Sequence, residues 1–251
     1  MSKVFAIGNY DCKMKMRKIS FWLITILITI YTLLDTIPSN YTRTMDVFYN
    51  HKYVALRIMK DTMQLLSIYI AFLCGDCLLK DERLGISEMM ASTSLKKREY
   101  IYGKFIGNIS ISTAILFIVT VICTIPQIFM HPNAFELKPY VMSFIILGII
   151  PVIFISGLAT YLPYYIRSSK VFLVIFILYW ALCEFAEFKG IEYIKYIGYA
   201  KFKIFQGQGI SPPELGPALN MCFLLAVGII PVVVLANTKY RKDIGRILRL
   251  N

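Results

Sequence analysis

The stretch KDERLGISEMMASTSLKKREYIYGK, residues 80–104, is the most strongly charged part of a very apolar chain. It lies between two hydrophobic runs that are each long enough to cross a bilayer. Within it Ile86, Met89 and Met90 fall at i, i+3 and i+4, so a short helix would place three apolar side chains on one face. A polar break at residues 92–94 and a basic cluster at 96–98 follow. The pattern predicts an amphipathic helix held between two membrane spans, with an ordinary solvated loop as the alternative.

The composition is that of a membrane protein. Of the 251 residues, 57% are hydrophobic and 17% are charged, which is more apolar than a soluble domain of this size needs to be. The net charge of +12 would raise nucleic acid as a partner of a soluble protein. Here the basic residues flank apolar runs, and no basic patch interleaved with aromatic residues occurs. The charge therefore predicts membrane topology, and no nucleic-acid partner is expected.

The apolar runs predict an all-α polytopic membrane protein with six transmembrane helices in one domain covering residues 1–251. The spans are expected at about 19–34, 62–79, 105–130, 139–163, 171–187 and 215–237. Residues 1–18 mix basic and apolar side chains, which is typical of a helix lying on an anionic membrane surface. A cleaved signal peptide is the alternative, but residues 35–39 lack the two small residues, one position apart, that mark a cleavage site.

The distribution of basic residues predicts the orientation of the spans. Of the 27 lysines and arginines, 18 lie in the segments assigned to the inside and nine in those assigned to the outside. The two sides have similar total lengths, so this bias places both termini in the cytoplasm. An even number of spans is required for that arrangement, and six satisfies it.

The motifs of several enzyme classes are missing. No G-x-x-x-x-G-K-[ST] sequence is present, so this chain has no loop to cradle ATP phosphates. The two histidines, His51 and His131, fall in predicted outer loops, and no H-E-x-x-H motif exists. Cys74 and Cys77 form a lone C-x-x-C without a second ligand pair, so we interpret them as small residues on a helix face. We expect no catalytic residue, metal site or cofactor bound by this chain.

The charged stretch resembles the loop between the second and third spans of ABC-2 type transporter permeases, the membrane subunits of ATP-driven exporters. The residues that carry the resemblance are Asp81, Gly85 and Glu88, then residues 92–93, then 97–100 and Gly103-Lys104. Ser94 departs from the family, which usually has proline there. With the six-span plan, the resemblance covers nearly the whole chain.

The resemblance implies a permease subunit that exports a peptide, an antibiotic or a lipid-like substrate. ATP and Mg²⁺ would bind to a separate cytoplasmic ATPase subunit, so the chain itself would not be an enzyme. A second permease chain, identical or homologous, would complete the transporter in a plasma membrane, expected to be bacterial. Residues 188–216, which are broken by glycine and proline, resemble the short re-entrant helices that such permeases place before their last span.

The resemblance also implies roles for particular residues. The apolar side chains of Ile86, Met89 and Met90 would seat in a groove on the ATPase. The remaining residues of the expected coupling loop would fix its register by charge pairing or by turn geometry: Asp81, Glu82, Arg83, Gly85 and Glu88.

Glu184 and Glu187 interrupt the fifth span before it would ordinarily be complete. A carboxylate at the bilayer centre costs about 2.5–3.5 kcal/mol, so these two must reach water, a partner or a cavity. We expect them at the outer gate or the mouth of the transport pathway. An alternative role for these two residues is that of the paired glutamates of a membrane protease. Such an enzyme also needs histidines within the membrane, and the predicted spans contain none.

Two further classes of protein stay open. An ion-coupled secondary transporter would need ionisable residues near the bilayer midplane and an internal repeat. The predicted spans three, four and six carry no ionisable residue in their interiors. A passive membrane anchor or immunity protein would need no polar residues in its spans at all.

Overall fold

The computed structural model describes residues 3–36, 51–85, 95–130, 136–185 and 215–237, and every regular element among them is a helix. We number the α-helices along the chain. They are α1 (Lys3–Met16), α2 (Ile19–Thr36), α3 (His51–Cys74), α4 (Cys77–Arg83), α5 (Lys97–Met130), α6 (Leu137–Ser143), α7 (Ile150–Ile166), α8 (Ser169–Phe185) and α9 (Leu215–Asn237). A π-helical segment, Phe144–Ile149, joins α6 to α7.

Four helical stretches are long and apolar enough to cross a membrane: Ile19–Thr36, Val54–Arg83, Lys97–Phe129 and Leu137–Ile166. Two shorter apolar helices, Ser169–Cys183 and Met221–Asn237, follow them. This pattern fits a membrane protein and confirms the predicted all-helical class.

Several helices extend beyond the apolar runs that predict them. α3 begins at His51 and α5 at Lys97, although the apolar runs begin at 62 and 105. In both cases the added turns are polar or mixed, so hydropathy alone marks the apolar part and not the end of the helix. Pro126 lies within α5, which continues to Met130. α9 has the predicted bounds.

The fourth span contains the π-helical segment Phe144–Ile149. Pro151 has no N–H to donate to the carbonyl one turn earlier, which favours a wider turn just before it. Gly148 lies in this segment against α5, where an added Cβ would be 2.5 Å from Leu116 Cδ2. A Cβ at Gly157 would overlap the carbonyl oxygen of Gly228, so α7 and α9 touch backbone to backbone.

The core lies between α2, α3, α5 and α7. Its largest fully buried side chains include Phe21, Met63, Leu66, Ile111 and Ile155. Long apolar side chains on α2 and α8 are instead exposed, as expected for surfaces that face lipid: Leu23, Leu27, Leu34, Leu178 and Leu182.

A stripe of threonines is buried along one face of α2. The hydroxyl groups of Thr25, Thr29 and Thr32 each donate to the carbonyl oxygen four residues earlier, at 2.7–2.9 Å. This bonding within the helix satisfies polar groups that would otherwise be costly away from water. The polar face of α2 can therefore point into the protein while its aliphatic face points outward.

Candidate functional site

The predicted coupling loop begins on α4, and its first residues differ in how far they are buried. Asp81, Glu82 and Arg83 form its last turn, and Gly85 follows with a left-handed φ of +70°. Arg83 is exposed, whereas the two acidic residues are partly buried.

The described residues include only part of the predicted site. Outside them lie five of its residues, Ile86, Glu88, Met89, Met90 and Glu187, and also residues 188–214 of the expected re-entrant segment. Glu184 belongs to the last turn of α8.

Asp81 points into the chain. Its Oδ2 accepts a hydrogen bond from the hydroxyl group of Tyr100 and lies 2.9 Å from Lys104 Nζ. Both partners are on α5, so this carboxylate joins the end of α4 to the beginning of the long helix that follows. Its predicted charge pairing with an ATPase stays a prediction.

The other two carboxylates of this region contact the turn between α7 and α8. Arg167 Nη1 donates to Glu82 Oε1 at 2.9 Å, and Ser169 Oγ donates to Asp76 Oδ1 at 3.2 Å. Asp76 thus pairs with a hydroxyl group. The Glu82–Arg167 side chains are 37% and 40% exposed, so water screens this pair. α4 is consequently connected to α5, to the end of α7 and to the start of α8.

Lys104 continues the chain of contacts to the N-terminal helix. Its Nζ lies 2.7 Å from Asp11 Oδ1 as well as 2.9 Å from Asp81. Asp11 is 2% exposed, and its Oδ2 lies 2.7 Å from Nζ of Lys15, which is 5% exposed. We call Asp11, Lys15, Asp81 and Lys104 the inner ion cluster. Its two carboxylates and two ammonium groups balance, as buried charges require.

Asn108 extends the inner ion cluster into the core. Its Oδ1 accepts a hydrogen bond from Lys15 Nζ. Its Nδ2 donates to Thr160 Oγ1 at 3.1 Å and to Cys77 Sγ at 3.6 Å. One side chain of α5 therefore contacts α1, α4 and α7 together.

Three glycines allow the contact between α1 and α5. A Cβ on Gly107 would lie 2.9 Å from the carbonyl oxygen of Gly8, and one on Gly103 would lie 2.7 Å from Ile7 Cβ. Small residues one turn apart let two helix backbones approach closely. Since Lys104 lies between Gly103 and Gly107, the same approach brings its ammonium group to Asp11.

Asp11 and the lysines beside it stabilise one another in their charged forms. Burial alone would raise the pKa of Asp11, but the positive charges of Lys15 and Lys104 outweigh it and hold the pKa below its ordinary value of 3.8. Burial would likewise lower the pKa of Lys15, yet the nearby sulfurs of Cys74 and Cys77 and the Asp11 carboxylate raise it above 10.5. Both groups are therefore charged at neutral pH.

The inner ion cluster was not predicted from the sequence. Lys15 was grouped with the basic residues of a surface helix, and Lys104 with the end of the coupling loop, yet both are buried. One signal was available: Asp11 is the only acidic residue before Asp35, and it lies four residues before Lys15. On a helix, a carboxylate four residues before a lysine can pair with that lysine.

The inner ion cluster is a set of paired charges. Each of its two ammonium groups lies within 3 Å of a carboxylate oxygen, at 2.7–2.9 Å. Among the residues that the structure describes, no group of three or more His, Cys, Asp or Glu side chains could hold a metal ion.

Comparison with protein-family models yields no match for this chain, and comparison with curated proteins yields none either.

Proposed function

We propose that the chain is the permease subunit of an ABC-2 type exporter, with six spans and both termini in the cytoplasm. It would pair with a second permease chain and with cytoplasmic ATPase subunits that bind ATP and Mg²⁺. The substrate class is a peptide, an antibiotic or a lipid-like molecule. The resemblance of residues 81–104 to the coupling loop of such permeases is the sequence support for this proposal.

The inner ion cluster is the observation that carries the proposal. An expected docking segment is useful only if its movement reaches the spans, and Asp81 is bound through Lys104 to both α5 and α1. Separating one partner from a buried, hydrogen-bonded ion pair costs about 3–5 kcal/mol. α4 therefore moves together with α5 and α1, whereas the exposed Glu82–Arg167 pair is easily exchanged for water.

The surface offered to the ATPase would start where α4 ends. Arg83 and Leu84 are exposed there, and Leu84 is 63% exposed. Ile86, Met89 and Met90 would continue this apolar surface, with Glu88 contributing charge. At the other end of the protein, Glu184 and Glu187 would border the outer gate ahead of the re-entrant segment.

The first experiment tests the ATPase partner. The chain is co-expressed with a Walker A ATPase encoded beside its gene, purified and reconstituted in vesicles. We expect a stable complex whose ATP hydrolysis drives substrate across the membrane. If the chain alone moves solute along an imposed proton or sodium gradient, the exporter assignment is wrong.

A second experiment tests the docking segment. Met89→Asp combined with Met90→Asp should uncouple ATP hydrolysis from transport while the protein still inserts. The matched control, Ser92→Asp with Ser94→Asp, adds two carboxylates to the same loop but keeps the apolar side chains, and should retain most transport. Equal transport by the two double variants would remove the methionines from the coupling role.

A third experiment addresses the outer gate. Replacing Glu184 and Glu187 together by Gln removes two charges with little change of shape. We expect lower export with unchanged amounts of folded protein. Unaltered export by this variant would show that neither carboxylate belongs to the pathway.

An ion-coupled secondary transporter is the second candidate function. One observation favours it: Asp61 is a buried carboxyl group within α3, and secondary transporters use such groups to bind coupling ions. The reconstitution experiment above separates the two functions by their energy source.

A further inference from the structure

A second ion cluster lies between α2 and α3. Arg57 Nε lies 2.7 Å from Asp35 Oδ2, and Arg57 Nη2 donates to Asp35 Oδ1 at 2.8 Å. This two-pronged geometry is the strongest that arginine forms with a carboxylate. Arg57 and Asp35 therefore neutralise each other across the helix contact.

Asp61 lies one helical turn after Arg57 and is 3% exposed. Its Oδ2 is 3.8 Å from Arg57 Nε, which is too long for a hydrogen bond. No group among the described residues donates a hydrogen bond to that oxygen. The nearest cation is thus bound closely to Asp35 and only loosely to Asp61.

The charges around Asp61 leave its carboxyl group uncompensated. The titratable groups that act on it are Asp35 from α2, Arg57 and Lys60 from α3, and the Cys123 thiol from α5. Lys60 is its neighbour in sequence, and consecutive helical residues do not face each other. A buried carboxylate without its own cation is strongly unfavourable, and it avoids this cost by taking up a proton.

Asp35 and Asp61 share one cation. Arg57 Nε lies 2.7 Å from Asp35 Oδ2 and 3.8 Å from Asp61 Oδ2. Two ionised carboxylates this close to one guanidinium repel each other, which favours protonation of one of them. Asp35 is held ionised by Arg57, which assigns the proton to Asp61.

We propose that Asp61 carries a proton at neutral pH, so that Asp35, Arg57 and Asp61 form a proton-binding site between α2 and α3. Removal of the proton would leave two negative charges competing for Arg57. The α2–α3 contact would then loosen at this end, next to the Thr32 and Thr62 hydroxyl groups, whose oxygens are 3.5 Å apart. The proposal is independent of which energy source drives transport.

Infrared spectroscopy of the purified chain tests the proposal directly. At pH 7 we expect the C=O stretching band of a protonated carboxylic acid, with a shift in heavy water. The band should be absent in Asp61→Asn and retained in the matched control Asp76→Asn. Absence of the band in the unaltered chain, or its persistence in Asp61→Asn, would overturn the assignment.

Two further measurements guard against misfolded variants. Asn has the shape of a protonated Asp, so Asp61→Asn should unfold thermally at the same temperature as the unaltered chain at pH 7. Asp35→Asn should unfold at a lower temperature and lose the band, because Arg57 then pairs with an ionised Asp61. An Asp61→Asn variant as unstable as Asp35→Asn would show that Asp61 is ionised, and a band that persists in Asp35→Asn would show that Arg57 does not decide which of the two carboxyl groups is protonated.

Discussion

Lys104 is placed between two carboxylates that belong to different helices. Asp11 and Asp81 both lie within 3 Å of its ammonium group, at 2.7 and 2.9 Å. Replacing Lys104 by Met keeps most of the side chain's volume but leaves two buried negative charges facing one remaining lysine. We expect the free energy of unfolding to fall by about 3–5 kcal/mol, measured by denaturant unfolding in detergent.

The control for this change is Lys13→Met, which removes the same charge from an exposed position on α1. It should alter the free energy of unfolding by no more than about 0.5 kcal/mol. Adding Asp11→Asn to Lys104→Met should recover part of the lost stability, because the inner ion cluster is then neutral again. If Lys13→Met and Lys104→Met destabilise the protein equally, the cluster contributes nothing specific.

The same cluster predicts how stability depends on pH. The pKa of Asp11 is lowered from 3.8 in the folded protein, so its contribution is present above pH 3.8 and is lost as the pH falls below that value. The pKa of Lys15 is raised from 10.5, so its contribution is present below pH 10.5 and is lost as the pH rises beyond it. Thermal unfolding of the unaltered chain and of Asp11→Asn should differ between these limits and converge below pH 3.8. A difference that persists at lower pH would contradict the assignment.

The contacts in and beside the inner ion cluster could be predicted from the sequence only in part. Asp81 was singled out because it belongs to a local motif, and the structure places it at the junction of α4 and α5. The partners of Lys104 and Asn108 on α1 lie 93 residues away in sequence. Nothing in a local pattern specifies such a pairing, because the pairing depends on how the helices pack.

At the scale of the helices, the approach of α1 to α5 depends on Gly107. An added methyl group there would lie 2.9 Å from the Gly8 carbonyl oxygen, and a backbone atom cannot rotate away as a side chain can. Gly107→Ala should therefore separate the two helices and expose the Cys12 thiol on α1, which is only partly accessible. The rate at which a thiol reagent labels Cys12, in a chain lacking the other five cysteines, measures this exposure.

A matched substitution on α5 provides the control. Ser110 is exposed on the same helix, so Ser110→Ala places the same alanine side chain at an exposed position. Labelling of Cys12 should stay slow in this variant. Faster labelling in Ser110→Ala, or slow labelling in Gly107→Ala, would show that close glycine packing does not hold α1 in place.

Hydropathy predicts the ends of a helix correctly when the helix and its apolar run have the same ends. It fails when the helix continues beyond the run. α9 was predicted with its observed bounds, whereas α3 and α5 continue through charged turns such as residues 97–104. In α5 those turns are stabilised by contacts with α1 and α4, which hydropathy does not represent. The π-helical segment Phe144–Ile149 lies inside an apolar run, and hydropathy carries no information on the type of helix formed there.

For the whole molecule, the distribution of basic residues predicts both termini on the cytoplasmic side. Single cysteines placed at Lys170 and at Asn133, in a chain lacking the native six, should be labelled from opposite sides of the membrane. Lys170→Cys should react only with reagent inside, and Asn133→Cys only with reagent outside. Labelling of both from the same side would require an even number of spans between them and so a different topology.

The helical membrane class was predictable because composition and run length decide it. A chain with 57% hydrophobic residues has few other ways to satisfy its backbone hydrogen bonds. The interior polar groups were less predictable, since the sequence shows threonines on α2 but not that they point inward. Prediction of the docking segment rests on the local motif in residues 81–104, and composition and run length play no part in it.

The bond between Asp11 and Lys104 joins residues that the ribosome makes far apart in time. Since Asp11 and Lys104 are 93 positions apart and synthesis proceeds at about 5–20 residues per second, α1 waits roughly 5–20 s before Lys104 is made. During that interval Asp11 and Lys15 have only each other, and α1 must stay in water or at the lipid surface. α1 is thus made well before the helix that holds it, and a chain that stops before Lys104 leaves α1 without that partner.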